Sequence, residues 1–121
     1  MLFQFERKQE KNYITYYLKG RCLDDYSTVK FIESLQDDIL DEHKLFIVNL
    51  QDLELINSAG LNALIKALTM VRNNGGELVV TNVPDQLKKM FLMTRLNTVF
   101  HLVENNKEAE KYFKEIEKNE A

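Results

Sequence analysis

The chain opens with alternating apolar and polar side chains. Across residues 2–8, Phe3 and Phe5 fall on one side and polar side chains on the other, which predicts a half-buried strand. Residues 13–18 are rich in aromatic and β-branched side chains and predict a second strand, ended by Gly20. Because only a short polar segment separates the two strands, they are expected to form a hairpin.

Further along, apolar residues recur at the spacing of amphipathic helices. A first helix is predicted over residues 28–40, and a second from Ser58 to about residues 73–76. In the first helix the residues predicted to face the core are Val29, Ile32, Leu35 and Ile39, and those predicted to face solvent are Lys30, Glu33, Asp37 and Asp38. In the second helix the predicted core face consists of Leu61, Leu64, Ile65, Leu68 and Val71.

Two more helices and three more strands complete the predicted order. Pro84 suits the first turn of a third helix, and Asn105 or Asn106 is predicted to cap a last one. Apolar runs predict strands at residues 45–48, 77–81 and 98–103, and a short polar crossing is expected between the first of these and the second helix. The order ββαβαβαβα predicts an α/β fold with a mixed sheet, since the hairpin is antiparallel and the strand–helix–strand crossovers are parallel.

These elements are expected to enclose one core in a single domain, residues 1–121, with residues 114–121 fraying. The side chains expected to be mostly buried are Phe3, Phe5, Ile47, Val48, Leu64, Leu68, Val79, Phe91 and Phe113. A net charge of −3 argues against a nucleic-acid binder, and no apolar run is long enough for membrane insertion. The single cysteine, Cys22, favours a small buried residue in a protein of the reducing cytoplasm.

The segment that begins the second helix is the strongest candidate for a functional site. Asn57-Ser58-Ala59-Gly60 directly precedes the apolar helical pattern. Either Asn57 or Ser58 can cap the helix, because each side chain can accept a hydrogen bond from an otherwise unpaired backbone N–H. A hydroxyl at this end of a helix also lies where a phosphate is electrostatically favoured.

The same segment resembles the signature of the STAS domain, and in particular of the bacterial anti-sigma factor antagonists. Residues 75–78 and 90–96 are also similar to segments of that family. The family motif has an acidic residue followed by the serine that is phosphorylated, and these positions correspond to Asn57 and Ser58. The resemblance implies a STAS fold and a protein that binds a serine-kinase anti-sigma factor when Ser58 is unmodified. A serine phosphatase would remove the phosphate.

The resemblance also implies a partner-binding surface formed by residues 57–60 together with the loop that follows the second strand. This loop contains Asp24 and Asp25, whereas Arg21 and Leu23 stand where the family usually has acidic residues. A purely structural interpretation stays open, in which the loop only connects a strand to a helix and Asp25 or Ser27 caps that helix.

Two other functions remain as alternatives at this point. One is a structural STAS subunit of a signalling or transporter complex, in which Ser58 is only a helix cap. The other is a small enzyme or nucleotide-binding domain. The sequence disfavours the enzyme, because His43 and His101 have no neighbouring ligand or base and no glycine-rich phosphate loop precedes a helix. No catalytic residue, metal site or cofactor is therefore predicted.

Overall fold

The computed structural model describes residues 2–24 and 26–120, with side chains up to Lys118. The strands are β1 (Gln4–Gln9), β2 (Ile14–Cys22), β3 (Leu45–Ile56), β4 (Glu77–Thr81) and β5 (His101–Val103). The helices are α1 (Val29–Leu40), α2 (Ser58–Asn73), α3 (Asp85–Met93) and α4 (Asn106–Glu120), with a 3-10 turn at Leu96–Thr98. The predicted order and the mixed α/β class are both confirmed.

The five strands form one sheet whose spatial order, β1-β2-β3-β4-β5, follows the chain. β1 pairs antiparallel with β2, and the other three pairings are parallel. The carboxyl ends of β2, β3 and β4 therefore lie along the same edge of the sheet. This arrangement brings the loop after β2 beside the junction between β3 and α2.

Each face of the sheet is covered by helices, so the domain has three layers. Residues at alternate positions of β2, β3 and β4 pack against α1, α2 and α3, as is usual for strands buried on both faces. This main core includes Tyr16, Phe31, Val48, Leu64, Leu68, Val80 and Phe91. The opposite face of the sheet packs against α4 through Ile47, Val79, Ala109 and Phe113.

Most of the predicted core is confirmed. Seven of the nine residues named are buried, namely Ile47, Val48, Leu64, Leu68, Val79, Phe91 and Phe113. Phe3 and Phe5 are only partly buried, because they lie at the edge of the sheet, although both pack against the main core. Among the described residues no helix has the length and apolar character needed to cross a bilayer.

β3 is much longer than predicted. The short polar crossing expected after Val48 is wrong, because the strand continues to Ile56. Leu50, Leu53 and Ile56 are buried, while Gln51 and Asp52 are exposed. The polar side chains face solvent on a strand that still pairs with β2, so they do not interrupt it.

The prediction for α1 is wrong at two positions. Val29 was expected to face the core but is 44% exposed, since it lies in the first turn of the helix. Asp38 was expected to face solvent but is only 4% exposed. Its carboxylate is buried against the Tyr16 hydroxyl and is also bound by the guanidinium group of Arg7, which is partly exposed.

Several element ends also differ from the predictions. Gly20 does not end β2, because its positive φ of 83° accommodates a shift in register and the strand continues to Cys22. Pro84 is the N-cap of α3 instead of a first-turn residue. The last strand is shortened to His101–Val103 by the preceding 3-10 turn.

The cap of the last helix is confirmed as Asn105, whose Oδ1 accepts from the N–H of Glu108 at 3.0 Å. α4 extends to Glu120. Ala121, the end of the segment predicted to fray, lies outside the described residues.

Candidate functional site

Ser58 is the first residue of α2, two positions after the end of β3. Asn57 is the N-cap, with an extended backbone, and its Oδ1 accepts a hydrogen bond from the N–H of Gly60 at 3.0 Å. Of the two caps considered from the sequence, the structure therefore selects Asn57. This leaves the Ser58 side chain with no capping role.

The Ser58 side chain is exposed, and its hydroxyl makes no hydrogen bond to the described part of the chain. It lies in the first turn of a 16-residue helix, where unpaired N–H groups and the helix dipole favour negative charge. Ala59 beside it is half-buried and small, so the approach to the hydroxyl is open. A phosphate on Ser58 would be accommodated without displacing any core side chain.

Gly60 is buried where the first turn of α2 packs directly on the end of β2. A Cβ atom at this position would collide with the backbone carbonyl oxygen of Cys22 and would lie 2.7 Å from Cγ1 of Ile56. Only glycine allows this approach. The first turn of α2 is therefore packed closely against the sheet at Gly60, while Ser58 remains at the surface.

The loop after β2 is attached to this helix end. The backbone N–H of Asn57 donates to the carbonyl oxygen of Cys22 at 3.3 Å, and its side-chain Nδ2 donates to that of Leu23 at 2.8 Å. The structure thus brings the loop and residues 57–60 together. Asp25, which was also predicted to belong to the surface, lies outside the described residues.

Asp24 organises the loop from within. Its Oδ1 accepts from the N–H of Ser27 at 2.6 Å, and this bond lowers the pKa of the carboxyl below its ordinary value. The prediction that Ser27 caps α1 is wrong, because the N-cap is Thr28, which makes no side-chain capping bond. Asp24 therefore has a local structural role in the loop and is exposed at the surface.

Exposed apolar side chains lie on the loop after β2, at the start of α1 and near the end of β3. Tyr26 is 90% exposed, and Leu23, Val29 and Leu55 are each exposed by more than a third. Sequence reasoning missed them as surface residues, and it placed Val29 in the core. The signal that could have corrected Val29 is the buried pattern Phe31, Ile32 and Leu35, whose helical face excludes position 29.

Val29 also lines a groove between α1 and α2, which has a volume of about 490 Å³. Ile32 and Ala63 provide apolar lining, and Glu33 and Lys66 provide one charge of each sign. The groove and the exposed loop residues form an extended surface beside Ser58, with apolar contact area and a polar rim. Such a composition is typical of protein-binding surfaces.

The described residues near Ser58 include no activated nucleophile and no metal site. Cys22 is buried, and its burial raises the thiol pKa to about 11, which disfavours the nucleophilic thiolate. Among the residues that the structure describes, no three His, Cys, Asp or Glu side chains are placed to share a metal ion. A larger cleft of about 610 Å³ is lined by Asn82, Lys88 and other residues around α3, and it includes none of the predicted site residues.

Comparison with known proteins places this geometry in a family. The STAS domain family matches residues 4–109 of the chain. A serine-to-glutamate variant of RsbS from Moorella thermoacetica has a similar structure, with a TM-score of 0.80, 15% sequence identity and coverage of 95% of this chain and 98% of that one. A putative anti-sigma factor antagonist from Thermotoga maritima gives a TM-score of 0.78, 17% identity and coverage of 89% and 92%.

The phosphorylated form of the Bacillus cell fate determinant SpoIIAA is also similar in structure. Its TM-score is 0.67 with 16% identity, and the match covers 91% of this chain and 98% of that one. At these identities the solved structures establish a common fold. The family match extends over most of the sequence and includes every element from β1 into α4. The chain therefore belongs to the STAS domain family.

Proposed function

We propose that this STAS domain is a regulatory binding protein that acts as an anti-sigma factor antagonist and is switched by phosphorylation of Ser58. Unmodified, it binds a serine-kinase anti-sigma factor in the cytoplasm and thereby releases a sigma factor. The observation that carries this proposal is the exposed Ser58 hydroxyl at the N-terminus of α2, which Asn57 already caps. Because Asn57 provides the cap, a capping role does not account for the exposed hydroxyl of Ser58.

The surface around Ser58 favours a protein partner more than a small-molecule substrate. Leu23 and Tyr26 on the loop and Val29 on α1 expose apolar area next to the groove between α1 and α2. Burial of such area favours association through the hydrophobic effect. A partner that covers these side chains would also exclude water from the neutral Ser58 hydroxyl.

Phosphorylation of Ser58 would oppose that complex directly. It adds a charge of about −1.5 to −2 and three acceptor oxygens at a point that the partner covers. The helix N-terminus stabilises the anion in the free domain, so the fold is retained. The partner would have to desolvate a hydrated dianion, and the complex is weakened although the domain does not change shape.

In this proposal the domain has no catalytic activity of its own. The phosphate is transferred by the anti-sigma factor kinase and removed by a separate serine phosphatase. Asn57 contributes a neutral amide at the position before the phosphoacceptor, so it positions the helix end without adding negative charge beside Ser58. The chain itself supplies the hydroxyl and the docking surface.

Phosphate mapping in the native cell tests this function. Affinity-tagged protein would be recovered with its bound proteins, incubated with Mg-ATP and analysed by mass spectrometry, beside Ser58→Ala and the matched serine control Ser27→Ala. We expect phosphate at Ser58 in the wild type and in Ser27→Ala, with none in Ser58→Ala. Capture of a kinase without phosphate at Ser58 would contradict the switch and favour a structural STAS subunit.

A further inference from the structure

The side chain of Asn57 makes two hydrogen bonds, one to α2 and one to the loop after β2. Its Oδ1 accepts from the N–H of Gly60 at 3.0 Å and so closes the first turn of α2. Its Nδ2 donates to the carbonyl oxygen of Leu23 at 2.8 Å. Because Leu23 is the first residue after β2, this one amide joins the β2–α1 loop to the helix that carries Ser58.

Two other hydrogen bonds among the described residues of the loop do not attach it to α2. The Ser27 N–H donates to Oδ1 of Asp24 at 2.6 Å, and the Ser27 hydroxyl donates to the Asp24 carbonyl oxygen at 3.3 Å. Both bonds stay within the loop and shape it locally. The bond from Asn57 comes from a different element, and it fixes the loop relative to α2.

We propose that Asn57 is a positioning residue whose amide holds the loop beginning at Leu23 against the N-terminus of α2, so that the loop and Ser58 form one preorganised surface. The benefit for partner binding rests on the proposed function. Preorganisation strengthens binding because less conformational freedom is lost when the complex forms. The tether itself is a property of the isolated chain and can be tested without any partner.

The two bonds of Asn57 can be separated chemically. A carboxylate accepts hydrogen bonds but cannot donate one, so Asn57→Asp keeps the cap on Gly60 and loses the bond to Leu23. Its oxygen would also face the Leu23 carbonyl oxygen at close range, which is repulsive. Asn57→Ser retains a good capping group, adds no charge and has a side chain too short to span both partners. Asn62→Asp adds the same charge at an exposed position of α2 and serves as the control.

Amide hydrogen exchange of the isolated full-length chain, followed residue by residue by NMR, tests the tether. We expect the amides of Leu23 and Ser27 to exchange about three- to tenfold faster in Asn57→Asp and Asn57→Ser than in the wild type, as for loss of one hydrogen bond. The amides of Ile47 and Val48 in the core should keep their wild-type rates. Asn62→Asp should leave the loop unchanged.

Two results would overturn the inference. One is a wild-type exchange rate at Leu23 and Ser27 in Asn57→Ser. The other is an equal acceleration at Ile47, which would show a general loss of stability instead of a released loop. If Asn57→Asp does not fold, Asn57→Ser carries the test. The experiment contains neither kinase nor partner. A negative result would therefore reject the role of Asn57 in holding the loop without affecting the proposal for Ser58.

Discussion

The guanidinium group of Arg7 on β1 makes a paired interaction with the carboxylate of Asp38 on α1. Nε of Arg7 lies 3.1 and 3.0 Å from the two carboxylate oxygens, and one terminal nitrogen lies 2.6 Å from Oδ1. The Tyr16 hydroxyl also donates to Asp38 and is 2.8 Å from the hydroxyl oxygen of Ser34. The bond to Asp38 raises the pKa of Arg7. This cluster fixes α1 to the edge of the sheet.

Removal of the Asp38 carboxylate should destabilise the fold strongly. Asp38→Ala leaves the Arg7 guanidinium and the buried Tyr16 hydroxyl without their partner, and breaking a buried pair in this way costs about 3–5 kcal/mol. Since the Arg7 side chain is 32% exposed, we expect the lower end of that range. Urea unfolding provides the free energy of unfolding, with the exposed neighbour Asp37→Ala as control. Equal stability of the two variants would contradict the structural role of Asp38.

The sequence could not reveal this cluster. Acidic residues are rarely buried without a partner, so the sequence predicts Asp38 on the solvent face of α1 together with Asp37. The partner, Arg7, is distant in the chain and lies on a strand whose pairing the helical pattern does not report. Val29 is a different case, because the helical face that contains Phe31, Ile32 and Leu35 already excludes position 29.

The apolar face of α2 should be essential for stability. Leu68 is only 2% exposed, and Leu68→Ala removes packing that the sheet and α2 cannot easily replace. We expect a loss of about 2–5 kcal/mol in the free energy of unfolding. Leu40→Ala is the matched control, because Leu40 is 80% exposed. A Leu68→Ala variant as stable as Leu40→Ala would be incompatible with this packing.

Gly60 should tolerate no side chain. In Gly60→Ala the new methyl group meets the carbonyl oxygen of Cys22 and the side chain of Ile56, so the first turn of α2 must shift. Overpacking of this kind typically costs about 1–3 kcal/mol, although alanine is the better helix former. Thermal unfolding measures the loss, and Asn62→Ala at an exposed site of the same helix is the control. A Gly60→Ala melting temperature at or above that of the wild type would show that the contact is not close.

Cys22 should react slowly with alkylating reagents in the folded protein. Burial raises the thiol pKa from 9.0 to about 11, so the folded state holds the proton more tightly than the unfolded chain does. The resulting stabilisation is present below pH 9.0 and is lost as the pH rises towards 11. We expect iodoacetamide at pH 8 to label Cys22 much faster in urea than in buffer. Equal rates would place the thiol at the surface.

The sequence predicted the candidate site more completely than it predicted the loop beside it. The N-terminus of α2 could be identified because a capping residue, small residues and a helical apolar pattern follow one another within residues 57–71. The choice of Asn57 over Ser58 as the cap depends on backbone direction at the end of β3. The bond from Asn57 to Leu23 depends on strand pairing between distant segments, which no local pattern encodes.

The proposed switch at Ser58 is tested most directly by calorimetric titration of the kinase that is recovered with the unmodified protein. The titrants are the unmodified chain, the chain phosphorylated at Ser58, and Ser58→Ala after the same treatment with kinase and ATP. We expect the phosphorylated chain to bind at least about tenfold more weakly, a loss of about 1.4 kcal/mol, while Ser58→Ala keeps the unmodified affinity. The phosphorylated chain should also keep its melting temperature, since the helix N-terminus stabilises the phosphate. Equal affinity of the phosphorylated and unmodified chains would contradict the account.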